Sequence, residues 1–139
     1  MSWGVSNNPI TNIYSLIDKI SSSEGVDPKL IHAIVQTESS YNPKAQPPID
    51  PKTGKRLSSA KGLMQLIDGT ASAMNVKDPF DPEQNLIGGI RYLKQQLNTT
   101  GGDVPKSLAM YNQGPAGDLS KANDYVKKVK KYYSGDGSF

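Results

Sequence analysis

The sequence predicts a mainly α-helical fold, and three observations indicate it. Apolar residues recur at the three- and four-residue spacing of an amphipathic helix in five segments. Several of these segments begin with an acidic or amide residue followed by proline, which is typical of a helix start. The chain has 139 residues with no internal repeat and no linker, so we expect one domain over residues 1–139 with a single core.

Isoleucine-rich stripes define the first two helices. The first is expected to begin at Asn8–Pro9 and to end at about Ser22, with a stripe of Ile10, Ile13, Ile17 and Ile20. The second is expected to run from Asp27–Pro28 to about Ser39, because Asn42–Pro43 prevents its continuation. Its stripe of Ile31, Ile34 and Val35 places this helix at the centre of the core.

Residues 44–61 do not have the pattern of a helix. With the flanking Pro43, this stretch contains four of the ten prolines of the chain, which excludes regular helix. Within it, residues 50–55 read as a tight turn. We therefore expect a small β-hairpin or loop at about 45–60.

Two helices are expected in the following segment. A short one should cover residues 70–74, and a long one should begin with a capping box at Asp81 and end at Gly101–Gly102. The long helix contains Gly88–Gly89, which weakens it by roughly 1 kcal/mol per glycine. The pair indicates either that another helix packs closely there or that the helix has a weak point.

The C-terminal part is predicted to contain two more helices. One should open at Val104–Pro105 and continue through Tyr111, and the other should run from about Asn123 to Tyr133. The last helix has a face made of four lysines, which is either simply solvated or attracted to an anionic polymer. Residues 135–139 are expected to be a loose tail.

Composition excludes several classes of function. The chain has no cysteine and one histidine, and it lacks the usual metal-site spacings, so we expect neither a metal nor another cofactor. The net charge of +3 favours anionic partners, but the absence of phosphate-binding, zinc-finger and RNA-binding patterns argues against nucleic acid. We also expect no membrane span, and the N-terminus does not resemble a signal peptide.

Glu38 is the most informative candidate for catalysis. It lies on the same stripe of the second helix as Ile31, Ile34 and Val35, at the end where the helix macrodipole is negative. Burial and negative potential both disfavour the ionised carboxylate and therefore raise its pKa. A carboxyl that stays protonated near neutral pH can act as a general acid. The alternative is that Glu38 occupies a fraying helix end and points into water.

Four short blocks occur along the chain in a recognisable order. They are Glu38–Pro43 (ESSYNP), Gly62–Ile67 (GLMQLI), Ala109–Pro115 (AMYNQGP) and Tyr125–Val129 (YVKKV). Together they resemble the catalytic domain of the soluble-type lytic transglycosylases of glycoside hydrolase family 23, which also includes goose-type lysozymes. The resemblance covers about residues 27–129 and implies a lysozyme-like fold. The segment 44–61 and the short 115–123 connection depart from the family pattern.

The resemblance implies a reaction and a set of residues. Glu38 would act first as acid and then as base, cutting the bond between N-acetylmuramic acid (MurNAc) and N-acetylglucosamine (GlcNAc) in peptidoglycan and leaving a 1,6-anhydro sugar. The hydroxyl of Tyr111 would approach and orient Glu38. The side chains that would line the sugar cleft are Gln65, Ile67, Asn112 and Tyr125. The protein would work as a monomer at the bacterial wall, delivered by a phage particle, exported by a dedicated machine, or cut from a longer chain.

Other interpretations remain open for the residues and for the whole chain. Gln65 could cap a helix or lie on the surface, and Ile67, Tyr111 and Tyr125 could simply pack in the core. A goose-type lysozyme would share the acid but would need a base for water, for which Asp50 and Asp68 are the candidates. A different class is a non-catalytic module that binds the wall or belongs to a virion.

Overall fold

A computed structural model describes residues 9–135 and Phe139, and its described part is mainly helical, as predicted. The helices are α1 (Pro9–Glu24), α2 (Pro28–Ser39), α3 (Asp68–Ala73), α4 (Pro82–Thr100), α5 (Val104–Gln113) and α6 (Asn123–Tyr132), with a 3-10 turn at Leu119–Ala122. The predicted start residue Asn8 and residues 136–138 of the predicted tail lie outside the described residues. The ring of Phe139 contacts that of Tyr133, with 4.8 Å between ring centres.

Aspartate caps explain where three of the helices begin. Asp27 accepts a hydrogen bond from the backbone amide of Lys29, and Asp81 accepts one from that of Gln84. Asp103, which the sequence reasoning did not single out, does the same for α5. Each cap satisfies an amide that the helix itself cannot pair.

The predicted helix ends differ from the observed ones by one or two residues at several places. Helix α3 begins at Asp68 rather than at residue 70, and α5 continues to Gln113 rather than ending at Tyr111. These ends are set by local turns that apolar periodicity does not report. The structure places α4 within its predicted bounds, followed by Gly101 in the left-handed conformation.

Helix α2 lies at the centre of the core, as its stripe predicted. It packs against α1 on one side and α6 on another, while α4 packs against α1 and α5. The side chains of α2 that are buried are Leu30, Ile31, Ala33, Ile34 and Val35. A buried central helix is what fixes the position of Glu38 near its carboxyl end.

The segment 45–60 is a loop with only the beginning of a hairpin. A single antiparallel bridge joins Ile49 to Arg56, and the turn closes through a 2.7 Å hydrogen bond from the Asp50 amide to the Lys55 carbonyl. A second bridge joins Lys61 to Leu66 and closes a tight turn over 61–66. This second turn, called here the 61–66 turn, forms one wall of the site described below.

The sequence suggested that another helix packs closely against Gly88–Gly89, but the close neighbours are side chains outside the helices. A side chain at Gly89 would collide with Met64 of the 61–66 turn, and one at Gly88 would collide with Val76. The two glycines therefore let the 61–66 turn and the chain after α3 approach the backbone of α4.

Among the helices of residues 9–135, none combines the length and the hydropathy that a bilayer crossing requires.

Candidate active site

A cleft of 260 Å³ opens beside the carboxyl end of α2. Parts of α3, α4, α5 and the stretch 58–67 form its other walls. Five of the six side chains that the sequence singled out line this cleft: Glu38, Gln65, Ile67, Tyr111 and Asn112. The sixth, Tyr125, lies beside Glu38 in the protein interior.

Glu38 is a half-buried acid that lines the cleft. Burial raises the pKa of its carboxyl from 4.5 to about 8, and the neighbouring Tyr125 hydroxyl has a smaller, opposite effect on that pKa. Near neutral pH the side chain is therefore mostly protonated, as the position of Glu38 on the apolar stripe predicted. It can donate a proton and, once ionised, can act as a base.

The end of α2 is tied to the 61–66 turn by Ser39. Its hydroxyl lies 2.7 Å from the carbonyl oxygen of Leu63 and 3.1 Å from that of Val35. This contact links the residue after Glu38 directly to the 61–66 turn. No role could be predicted for Ser39 from the sequence, because its partner lies 24 residues further along the chain.

Tyr125 faces Glu38 from the interior. Burial is the main reason that the pKa of Tyr125 is raised well above its ordinary value, and the negative charge of ionised Glu38 adds to the effect. The Tyr125 hydroxyl is buried, and no described residue meets standard hydrogen-bond geometry with it. The two groups are thus neighbours without a well-aligned bond, an arrangement that in enzymes commonly tightens when substrate binds.

Tyr111 contributes differently from what the resemblance implied. Its hydroxyl donates a 2.7 Å hydrogen bond to the backbone carbonyl of Met64, so its proton is not directed at Glu38. Glu38 is nevertheless near enough that its charge helps to raise the pKa of Tyr111, after the larger effect of burial. Tyr111 therefore fixes the 61–66 turn and also forms part of the cleft wall.

Gln65 also supports the wall through the backbone. Its side-chain nitrogen donates to the carbonyls of Ala45 and Gly62, each at 2.9 Å, and its own backbone has a φ of 52°. The amide hydrogens of Gln65 are therefore engaged in holding the 45–60 loop against the 61–66 turn. Its side-chain oxygen is the atom through which it can accept a hydrogen bond from a ligand.

Asn85 is the most important residue that the sequence reasoning missed. It is fully buried in α4, accepts from the Met64 amide at 2.8 Å, and donates to the carbonyls of Lys61 and Pro79 at 3.0 and 2.8 Å. A polar residue directly before the buried Leu86 was the available signal. These bonds hold the 61–66 turn at Lys61 and at Met64.

The remaining cleft residues are a mixture of apolar and amide side chains. Ile67 is 50% exposed, so the alternative that it packs in the core is wrong. The side-chain oxygen of Asn112 accepts a 2.6 Å hydrogen bond from Gln113, which fixes the orientation of the Asn112 amide. Tyr92, also missed from the sequence, lines the cleft and packs its ring against Tyr111 at 5.4 Å.

The two aspartates considered as possible second acids lie elsewhere. Asp50 accepts from the backbone amide of Lys52 within its own turn, and Asp68 forms a 2.7 Å ion pair with Lys61. Neither lines the cleft, and Glu38 is the one carboxylic acid among its described lining residues. Across residues 9–135, no three His, Asp or Glu side chains come together as a metal site would require.

Comparisons with known proteins identify the family of the chain. Residues 15–134 match the family described as "Transglycosylase SLT domain". A transglycosylase of Enterobacteria phage PRD1 is 35% identical over 120 residues, which are 85% of this chain and 42% of the phage protein. Membrane-bound lytic murein transglycosylase F of Serratia proteamaculans is 39% identical over 106 residues, which are 72% of this chain and 20% of that protein. The chain thus spans less than half the length of these relatives.

Solved structures have the same fold. The 70 kDa soluble lytic transglycosylase of Escherichia coli superposes with a TM-score of 0.69 at 26% identity, covering 85% of this chain and 23% of the other. The lytic transglycosylase Slt of Pseudomonas aeruginosa, solved as an inactive mutant, gives a TM-score of 0.70 at 21% identity, covering 86% and 23%.

Proposed function

Because this chain belongs to the transglycosylase SLT domain family, we propose that it cleaves peptidoglycan glycan strands at the MurNAc-β-1,4-GlcNAc bond and forms 1,6-anhydro-MurNAc. The observation that carries the proposal is a single carboxyl in the cleft, held protonated near neutral pH by its burial. The family match supports the reaction class, and the geometry of Glu38 supports its role as the catalytic acid.

In the first step, protonated Glu38 gives its proton to the glycosidic oxygen. The bond from C1 of MurNAc to that oxygen breaks, and GlcNAc leaves with a free 4-hydroxyl. The 2-acetamido oxygen of the substrate covers the cation that develops at C1. A raised pKa suits this step because an acid is most effective when its pKa is close to the working pH.

In the second step, Glu38 works as a base. It takes the proton of the muramoyl 6-hydroxyl, and the oxygen of that hydroxyl closes onto C1. The proton lost in the first step is thereby regained, and no water is consumed. The Tyr125 hydroxyl is a neighbour of this carboxyl and would donate to the carboxylate between the two steps, which would stabilise its charge inside the protein.

The single acid favours this reaction over hydrolysis by a goose-type lysozyme. An inverting hydrolase needs a second carboxylate about 6.5–9.5 Å from the first to activate water. Asp50 and Asp68 are engaged with Lys52 and Lys61 and do not line the cleft. The muramoyl 6-hydroxyl requires no such second base, because Glu38 itself takes the proton.

We further propose that the protein acts as a monomer on the bacterial wall and reaches it in a phage context. The likeness to the phage PRD1 transglycosylase supports the phage context. Mass spectrometry of purified particles would test the association with a virion. A dedicated export route would instead place the protein in the envelope of uninfected cells.

The test of the reaction is to digest purified peptidoglycan and to weigh the released fragments. Anhydro ends are expected, whereas reducing ends, heavier by one water, would show a lysozyme. Binding without release would show a non-catalytic module. Glu38→Gln should keep the fold and the binding but lose at least about 10²–10⁴-fold in turnover, because the amide can neither give nor take the proton. A variant that digests peptidoglycan at the parent rate would overturn the assignment of the acid.

A further inference from the structure

A second groove lies on the side of α2 that faces away from Glu38. It has a volume of 450 Å³ and is called here the aromatic groove. Its lining consists of Tyr14, His32, Gln36, Tyr41, Tyr132 and Ser134. Since His32 and Gln36 lie one turn apart on α2, they share a stripe that is roughly opposite the stripe of Glu38. The groove is therefore separate from the catalytic cleft.

Three of the four rings of the aromatic groove, those of Tyr14, His32 and Tyr41, contact one another. The ring of Tyr14 lies 4.8 Å from the ring centres of both His32 and Tyr41. His32 Nε2 is 2.9 Å from a carboxylate oxygen of Asp18, and His32 Nδ1 is 3.0 Å from the Tyr41 hydroxyl. Because the carboxylate can only accept, Nε2 of neutral His32 donates to Asp18, and the Tyr41 hydroxyl donates either to Nδ1 or to the His32 backbone carbonyl, which lies 3.3 Å away.

Rings that contact one another make a preorganised surface. Tyrosine has only two side-chain torsions, so little conformational entropy is lost when it binds a ligand. A ligand that settles against these rings meets groups that are already positioned by Asp18, His32 and one another. Such preorganisation increases affinity by lowering the cost of ordering.

The exposure of this surface is not explained by the fold. Tyr14 and Tyr132 are each 44% exposed, and both belong to the small group of large apolar side chains that stay exposed in the described part of the chain. Burying them against a ligand would remove apolar surface from water. Contiguous exposed aromatic surface with polar edges is typical of a binding site.

The chemistry of the lining favours the uncharged, hydroxyl-bearing faces of sugar rings. None of the six lining side chains is a carboxylate, lysine or arginine, and the nearby Asp18 is already paired with His32. At the margin, Lys131 places its ammonium 5.7 Å from the ring centre of Tyr132. Tyrosine rings offer flat apolar faces to the C–H side of a pyranose, while the Gln36 amide can both donate to and accept from hydroxyl and acetamido groups.

We propose that the aromatic groove is a second saccharide-binding site, which holds a peptidoglycan glycan strand away from the catalytic cleft. This inference rests on the proposed function for the identity of the polymer. A strand, or a neighbouring strand in the wall, that is bound at the groove stays at high local concentration near the cleft. Two weak sites on one chain together bind a polymer more tightly than either site alone.

The test separates binding from cleavage by using Glu38→Gln as the background, so that bound strands are not cut. Tyr14→Ala and Tyr132→Ala, alone and combined, are compared with this parent by co-sedimentation with insoluble sacculi. We expect the double change to weaken binding by about tenfold. Tyr132→Phe, which keeps the ring, and Ile49→Ala, which removes an exposed apolar side chain elsewhere, are expected to bind like the parent.

The result that overturns the proposal is equal sedimentation of the parent and the double variant, with thermal unfolding showing both to be folded. Tyr132→Ala is the more secure single variant, because Tyr14 also contacts His32 and Tyr41. Tyrosine-dependent binding to intact sacculi but not to stem-free glycan strands would identify the peptide as the ligand and would also overturn it. A concentration-dependent dimer that disappears in Tyr132→Ala would likewise overturn the proposal, because the groove would then be an interface between two copies of the chain.

Activity measurements distinguish this inference from the proposed function. With Glu38 intact, Tyr132→Ala should digest sacculi more slowly but should cut short soluble fragments at the parent rate, because a short fragment occupies only the cleft. If the parent cuts nothing while sedimentation still depends on the tyrosines, the proposed reaction fails and the saccharide site stands. If the parent cuts and the tyrosines make no difference to either measurement, the reaction stands and the second site fails.

Discussion

Replacing Glu38 with glutamine should stabilise the folded protein, by an amount that grows as the pH rises. The pKa of Glu38 is raised from 4.5 to about 8 by burial, so over this interval the folded chain holds a proton that the unfolded chain has released. The free energy of unfolding of the parent therefore falls with pH across this window. At about 1.36 kcal/mol per pH unit, the loss reaches about 3 kcal/mol by about pH 7 and levels off above the folded pKa. Glutamine cannot ionise and avoids this loss.

The measurement is urea unfolding followed by far-ultraviolet circular dichroism, at several pH values from about 4 to about 8. Near the lower limit, parent and Glu38→Gln should have similar free energies of unfolding, because both side chains are then neutral. At about pH 7 the variant should be more stable by about 3 kcal/mol. The catalytic loss and the gain in stability should thus occur in the same variant, which would indicate that the site is maintained at the expense of stability.

Glu24→Gln is the matched control, with the opposite sign. The hydrogen bond from Arg91 is the main reason that the pKa of Glu24 is lowered, and Lys94 also contributes. The stability from this carboxylate is present above its unfolded pKa and disappears as the pH falls through the folded pKa. Glu24→Gln should therefore lose a little stability at neutral pH.

If the free energies of unfolding of the parent and of Glu38→Gln change in parallel between about pH 5 and pH 8, the idea that burial keeps Glu38 protonated is refuted.

Three further predictions concern the surroundings of Glu38. Tyr125→Phe should shift the alkaline limb of the pH–rate profile to higher pH, because the Tyr125 hydroxyl lowers the pKa of Glu38. Tyr111→Phe is the control and should not shift this limb, since the Tyr111 hydroxyl donates to the Met64 carbonyl. Asn85→Ala should lower the urea-unfolding free energy by about 3 kcal/mol or more, because it leaves buried backbone groups of the 61–66 turn unpaired, whereas loss of less than about 1 kcal/mol would contradict this. A chelator should leave the release of muropeptides unchanged, and activity restored only by added metal would show that the mechanism is incomplete.

The helices could be predicted because their signals are local. Proline at the first helical position and an aspartate cap before it lie within three residues of each other at Asp27 and Asp81. The burial of α2 and the environment of Glu38 also follow from spacing alone, because a single stripe carries the acid and the core residues. The predicted start of α3 was wrong, because the helix begins at Asp68 without a side-chain cap hydrogen bond that the sequence could have indicated.

The partners of the site residues could not be predicted, because they lie far apart in sequence. Gln65 bonds to a carbonyl 20 residues away, Asn85 to one 24 residues away, and Tyr111 to one 47 residues away. The family resemblance indicated that Gln65 and Tyr111 are near the site, and nothing indicated this for Asn85. Only the folded chain shows that each of them is directed at backbone atoms. The same limit explains why the neighbour of Gly89 was mistaken for a helix when it is Met64.

The long-range contacts converge on one element, the 61–66 turn. The carbonyls of Gly62, Leu63 and Met64 accept from Gln65, Ser39 and Tyr111, while Asn85 binds the turn at Lys61 and Met64. The turn is thereby held beside the carboxyl end of α2. Because Gln65 and Leu66 of this turn line the cleft together with Glu38, the turn contributes to the burial of the acid, and burial is the main cause of its raised pKa. The acidity of Glu38 therefore depends on contacts between residues that are distant in sequence.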